Sequence, residues 1–175
     1  MKKFSLLSLF SFILLISTSA FSQTNEQALE VIIKDFETAI ANKDKEKFLS
    51  LFVEQPVSWV GVYTKRDYEN ELKWAKSEEG KKLKRQIGDK FREPAKFRHS
   101  TPEIFIESIT DNTKHPREEI TNVKILTNGE VATVYFDYIF FDDDKRINSG
   151  KENWQLINTG KGWKINAVNF SISRG

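Results

Sequence analysis

Asn122-Val123-Lys124-Ile125-Leu126-Thr127, then Asn128-Gly129, then Glu130-Val131-Ala132-Thr133-Val134-Tyr135-Phe136-Asp137 is the stretch on which the fold turns. Two runs rich in β-branched and aromatic residues flank an Asn-Gly pair. A two-residue type I′ hairpin turn favours that pair, because both of its central residues need positive φ. With Asn128 and Gly129 as the turn, Thr127 faces Glu130, Ile125 faces Ala132 and Val123 faces Val134. Side chains alternate along a strand, so this register places Val123, Ile125, Ala132, Val134 and Phe136 on one face, with Lys124, Thr133 and Asp137 on the other.

Toward the C-terminus the pattern repeats. Thr159-Gly160-Lys161-Gly162 predicts a second hairpin with Gly160-Lys161 at its tip, and Trp163, Ile165 and Ala167 then share a face with Leu156 and Trp154. Between the hairpins, the charged tip Asp142-Asp143-Asp144-Lys145-Arg146 returns strand 130–141 as strand 147–158. The result is a four-stranded antiparallel meander from about Glu119 to Ser173. Its opposite face still carries Val131, Tyr135, Ile139, Ile157, Val168 and Phe170. A sheet that meets water on that side shows fewer such residues, so a homodimer paired through the outer sheet face is expected.

At the start of the chain, Lys2-Lys3 precede an apolar run from Phe4 to Ile16 and the small residues Ser17 to Ala20. This predicts a secretory signal peptide over 1–22, cut after Ala20 or Ser22, and a periplasmic or secreted protein with no membrane attachment after cleavage. Without Lys2 and Lys3, the 27 basic residues fall to the number of acidic ones, 25. The mature chain is neutral, so its composition does not point to nucleic acid. There is no Cys, which excludes disulfides and thiolate chemistry. Residues 23–175 are long enough for a single domain with a real core.

Within that domain, Thr24 followed by Gln27 is a capping-box pattern, and Ala28, Leu29, Ile32, Ile33, Phe36, Ala39 and Ile40 recur at helical spacing over residues 25–41. Asp44 caps a second short helix through Phe52. Residues 56–63 read as a strand, in which Gly61 marks a bulge or a close backbone approach. Residues 64–98 carry 12 Lys/Arg against 7 Asp/Glu around a sparse apolar stripe, and are expected to form a solvated helical insertion. Thr101-Pro102 opens a further short helix.

Several of these pieces carry a resemblance. They are Ala39-Ile40-Ala41-Asn42-Lys43-Asp44 with Phe48-Leu49-Ser50-Leu51-Phe52, then Gly129-Glu130-Val131-Ala132-Thr133-Val134, and finally Trp154-Gln155-Leu156 with Gly162-Trp163-Lys164-Ile165. In order and spacing the chain resembles the nuclear-transport-factor-2-like superfamily, which includes ketosteroid isomerases and polyketide-cyclase-like proteins. The resemblance implies an α+β fold: a curved antiparallel sheet wrapped around N-terminal helices as a cone, open at its wide end. Members often dimerise through the outer sheet face. The isomerases use an Asp base with a Tyr and a protonated Asp as oxyanion donors, a set with no residue-by-residue match here.

Extending the apolar-face register brings Tyr138, Glu152 and Asn169 inward across three strands, with Glu152 opposite Asn169. Glu152 beside Trp154 and Phe140 in a partly dry pocket would have its pKa raised, as an acid–base catalyst requires. Tyr138 is the candidate hydrogen-bond donor and Asn169 the orienting amide. Trp59 and Tyr63 alternate on the first strand and are candidates to line the same cavity. His99 and His115 lack the convergent partners that a metal needs, and there is no Gly-rich phosphate loop, nucleophile elbow or redox pair, so no metal or cofactor is expected. These residues predict a domain that binds a small apolar molecule. Two alternatives stay open: a cofactor-free isomerase, cyclase or dehydratase using Glu152 and Tyr138, and an interaction module whose cone is filled by its own side chains.

Overall fold

The computed structural model describes residues 24–174. The expected leader over 1–22 lies outside them, and among the described residues no helix is long and apolar enough to cross a membrane. Helix α1 (Asn25–Ala41) begins as its sequence dictates. The Thr24 hydroxyl accepts from the Gln27 amide while Gln27 Oε1 accepts from the Thr24 amide, which satisfies two donors the first turn would otherwise leave open. Its buried side, Leu29, Ile32, Ile33, Phe36 and Ile40, repeats every three to four residues and lies against the sheet. Helix α2 (Lys45–Ser50) follows, capped by Asp44, and Phe48 sets its ring 5.0 Å from that of Phe36.

The sheet has six strands: β1 (Ser58–Tyr63), β2 (Phe97–Ser100), β3 (Pro116–Thr127), β4 (Val131–Asp142), β5 (Lys145–Asn158) and β6 (Trp163–Ile172). Their order is β2-β1-β6-β5-β4-β3, and β1 runs parallel to β6 while the other neighbours are antiparallel. The expected meander is therefore β3 to β6, extended by two strands that local pattern did not join to it. Residues 64–98 hold α3 (Lys65–Lys76), α4 (Glu78–Ile87) and a short 3-10 turn, as expected, but they also run into the edge strand β2. Helix α5 (Pro102–Thr110) starts at Thr101, whose hydroxyl accepts from the Ile104 amide, with Pro102 at the first helical position. Gly61 is a close approach and not a bulge. The β1 register is continuous there, and an added Cβ would come within 2.9 Å of the Phe170 ring.

The Asn128 turn is longer than a type I′ turn. Of its two residues only Gly129 takes positive φ, and Asn128 Oδ1 accepts from the amides of Glu130 and Val131. Thr127 pairs with Ala132 and Ile125 with Val134, a shift of two residues from the expected register. Because a shift of two keeps every side chain on its face, Ala132, Val134, Phe136 and Tyr138 are buried as expected.

Single-residue bulges have the opposite effect. On β3 the register slips between Thr121 and Lys124 around Asn122, which takes φ 53°, and Val123 ends 40% exposed instead of facing the core. On β6 Asn166 is the extra residue, since Leu156 pairs with Ile165 but Gln155 with Ala167. Beyond it the faces exchange: Val168 is fully buried and Phe170 packs on the core, while Asn169 is exposed on the outer face. The outer face thus loses two of the six apolar residues expected on it. Leu126, Val131 and Tyr135 remain exposed there.

Candidate functional site

Helices α1 and α5 do not fill the concave side of the sheet, and a cavity of about 230 Å³ remains between them and strands β1 and β3 to β6. Its inner end is formed by Phe36, Trp59, Glu118, Tyr138 and Glu152, all buried. Partly exposed Phe105, Phe140 and Phe170 form its walls, and Asn112, Asp142 and Asn148 its rim. The aromatic walls support one another: Trp59 stacks on Phe105 at 5.2 Å, and Phe170 meets Trp59 edge-on at 6.1 Å.

The two acids come from different strands. Glu152 shares the β5 inner face with Trp154, whose indole N–H donates to Glu152 Oε1 at 2.6 Å. Burial raises the Glu152 carboxyl to about 8, against the pull of that indole hydrogen bond. Glu118 reaches the cavity from β3 because the Asn122 bulge turns the strand's first half over. There Pro116 and Glu118 face inward, and Glu118 pairs across to Phe140. Burial raises the Glu118 carboxyl well above its ordinary value, and the charges of Glu152 and then Glu37 raise it further. Glu118 Oε1 is buried with no hydrogen-bond partner. Two carboxylates cannot both ionise cheaply in such a site, because little water is present to screen the repulsion of like charges. The pair therefore retains protons at neutral pH.

Of the residues singled out from sequence, Glu152, Tyr138, Phe140 and Trp59 line the cavity. The Tyr138 hydroxyl does not point a free donor at a ligand: it donates to the Ser171 carbonyl at 2.9 Å. Burial, with the charges of Glu152 and Glu118, raises its pKa and keeps it protonated. Trp154 serves from behind, through its bond to Glu152. Tyr63 is buried but does not line the cavity, and its hydroxyl accepts from Arg174 Nη2 at 2.8 Å. Asn169 is corrected outright, because the Asn166 bulge moves it to the exposed face. Glu118 was missed for the mirror reason: without the Asn122 bulge it would count as outer-face. The positive φ that Asn tolerates was the one sequence signal for it.

The acid pair does not form a metal site. Among the described residues no three His or carboxylate side chains converge closely enough to hold an ion. A wider groove of about 510 Å³ lies between α3 and the sheet edge, with Arg92, Arg98 and Arg174 on its wall. Arg174 is paired with Glu71 at 2.7 Å, and Arg98 lies 4.0 Å from the same carboxylate, so the charge there is largely balanced within the protein.

No family model matches the sequence, nor does any curated relative. Solved structures do match its shape. An NTF2-like protein from Cytophaga hutchinsonii superposes with TM-score 0.57 at 12% identity, over 86% of this chain and 99% of its own. An NTF2-like protein with a cystatin-like fold from Novosphingobium aromaticivorans gives TM-score 0.57 at 12% identity, over 86% and 83%. The chain has the cystatin-like fold of the nuclear-transport-factor-2-like proteins. A third match, described as a candidate scytalone dehydratase from Novosphingobium aromaticivorans, has TM-score 0.57 at 13% identity, over 85% and 83%. In this NTF2-like fold the cavity lies on the concave side of the sheet, and the aromatic rings and carboxyls that line it are this chain's own.

Proposed function

We propose that this NTF2-like domain is exported and binds a small, largely apolar molecule in the cavity, with the Glu118/Glu152 pair meeting the ligand's polar atom. The orphaned Glu118 oxygen carries the reading, since a buried acceptor without a donor costs on the order of 1–3 kcal/mol unless something fills the gap. The cavity size and aromatic walls support an apolar body of one or two rings. The test is a titration of single-ring compounds, neutral, cationic and anionic, followed by Trp fluorescence, since Trp59 is on the wall. At least one series saturates, and Asn148→Trp, which plugs the rim, loses the response while its thermal melt stays cooperative. A wild-type protein silent to all three series sinks the proposal. Amino-terminal sequencing of the exported protein checks the leader: the mature chain begins after Ala20 or Ser22.

A second reading is general acid–base chemistry on the bound molecule. Glu152, lifted to about 8, holds a proton near working pH beside a second carboxyl, and one structural match is described as a dehydratase. Under this reading Glu152→Gln abolishes turnover of any ligand that is found. Retained turnover in a folded Glu152→Gln protein rejects it.

The exposed Leu126, Val131 and Tyr135 support a homodimer through the outer sheet face. Sedimentation is expected to give a dimer for the wild type and a monomer for Val131→Glu. A monomeric wild type removes this part of the proposal.

A further inference from the structure

We infer that the cavity is built for an organic cation: a small protonated amine on an aromatic or alicyclic body, its ammonium group bound between the carboxyls of Glu118 and Glu152. This rests on the cavity being a binding site and adds the charge of its occupant.

The Trp154 indole N–H is spent on Glu152, the Tyr138 hydroxyl on the Ser171 carbonyl, and the Ile120 amide on Glu37. At the mouth, Asn112 Nδ2 donates to Asp142 at 2.7 Å and the Ser108 hydroxyl to the Phe105 carbonyl. Lys43 donates to the Asn112 carbonyl, and no Lys, Arg or His side chain is on the cavity wall. Toward its occupant the wall therefore presents mainly acceptors, among them Glu118 Oε1 in a residue only 7% exposed, and the Asn148 amide on the rim is a further donor. Apart from that amide and the protons the two carboxyls hold, the donors must come with the ligand. An ammonium group brings three with a positive charge, while a neutral hydroxyl brings one and a carboxylate none.

The surroundings agree with a cation. Glu118 and Glu152 on β3 and β5, with Glu37 and Asp142 nearby on α1 and β4, are carboxyl groups with no basic side chain on the wall, so only negative charge can develop there when a proton leaves. Trp59, Phe105 and Phe140 offer ring faces and edges, and cations bind favourably over the faces. A metal ion would need at least a third ligand beside these two carboxyls, and among the described residues no such group of three is present. The protons on the pair fit as well: an arriving ammonium group displaces one of them to solvent, so that a carboxylate faces the cation beside a neutral carboxyl.

The test compares three probes of one shape at pH 7: benzylammonium, benzyl alcohol and benzoate, by Trp fluorescence titration and thermal shift. Benzylammonium is expected to bind ten- to a hundred-fold more tightly than benzyl alcohol, the range of a charge-assisted hydrogen bond, with benzoate weakest. Glu118→Gln is expected to remove most of that preference, with a cooperative melt showing that the variant is folded. Benzyl alcohol or benzoate binding as tightly as benzylammonium overturns the charge inference while the cavity reading stands. So does an ammonium preference unchanged in Glu118→Gln. Silence toward all three probes overturns both readings, and stabilisation by calcium or zinc that excludes benzylammonium overturns this one.

Discussion

Glu152→Gln is expected to stabilise the protein at alkaline pH and to change little in acid. The folded state holds the Glu152 proton to about pH 8, whereas an unfolded chain releases it near 4.5. Between those values the native state binds more protons, so this group's contribution to stability is complete below about 4.5 and is lost as pH rises toward 8. A buried Gln has no proton to lose, and its side-chain oxygen can still accept from the Trp154 indole. The wild-type-minus-variant difference in stability should thus open across that window to on the order of 5 kcal/mol, or roughly 10–20 °C in Tm for a domain of this size. Glu118→Gln should act in the same direction. The double variant should gain less than the sum, because each carboxyl raises the other's cost. Calorimetric melts from pH 4 to 9 measure the difference directly. A difference that stays flat with pH would falsify the claim that the pair is buried and protonated.

The second large effect is steric. A Cβ added at Gly150 would stand 2.0 Å from the Ser171 carbonyl oxygen and 2.7 Å from its hydroxyl, and the carbonyl is backbone, with no flexible end to give way. Ser171 is a junction: its carbonyl accepts from Tyr138 and its hydroxyl from the Lys151 amide at 2.9 Å. Gly150→Ala must push β6 away from β5 and weaken both bonds, a loss on the order of 3 kcal/mol. Gly160→Ala is the control. Nothing lies within 4 Å of its added methyl, and the φ of +76° alone costs about 1 kcal/mol. Urea denaturation of the two variants should separate them by about 2 kcal/mol. Equal midpoints would mean that the strands yield at Gly150 without loss.

What the sequence made legible divides by parity. The helices were plain, because caps at Thr24, Asp44 and Thr101 and the apolar period of α1 are local signals. On β4 and β5 the burial of Val134, Phe136, Glu152 and Trp154 was legible even though the turn is longer than expected, since a two-residue error leaves the faces intact. One-residue bulges are a different matter. The extra residues at Asn122 and Asn166 exchanged Glu118, Val168, Phe170 and Asn169 between faces, and alternation alone does not show where an odd residue has been inserted. Strand β2, Phe97-Arg98-His99-Ser100, alternates weakly and lies at the sheet edge, so it was absorbed into the charged insertion. The parallel pairing of β1 with β6 joins segments about a hundred residues apart, beyond the reach of any local pattern.

That pairing also sets an order of events. A nascent chain exposes Trp59-Val60-Gly61-Val62-Tyr63 long before β6, the neighbour that joins β1 and β2 to the rest of the sheet, has been synthesised. Loop closure over that span is slow, and an apolar strand waiting with free edges invites association with other chains. β1 and β6 must therefore meet before this edge of the sheet is safe, which makes strand β6 the checkpoint for productive folding and makes chains cut short before it the species most prone to aggregate.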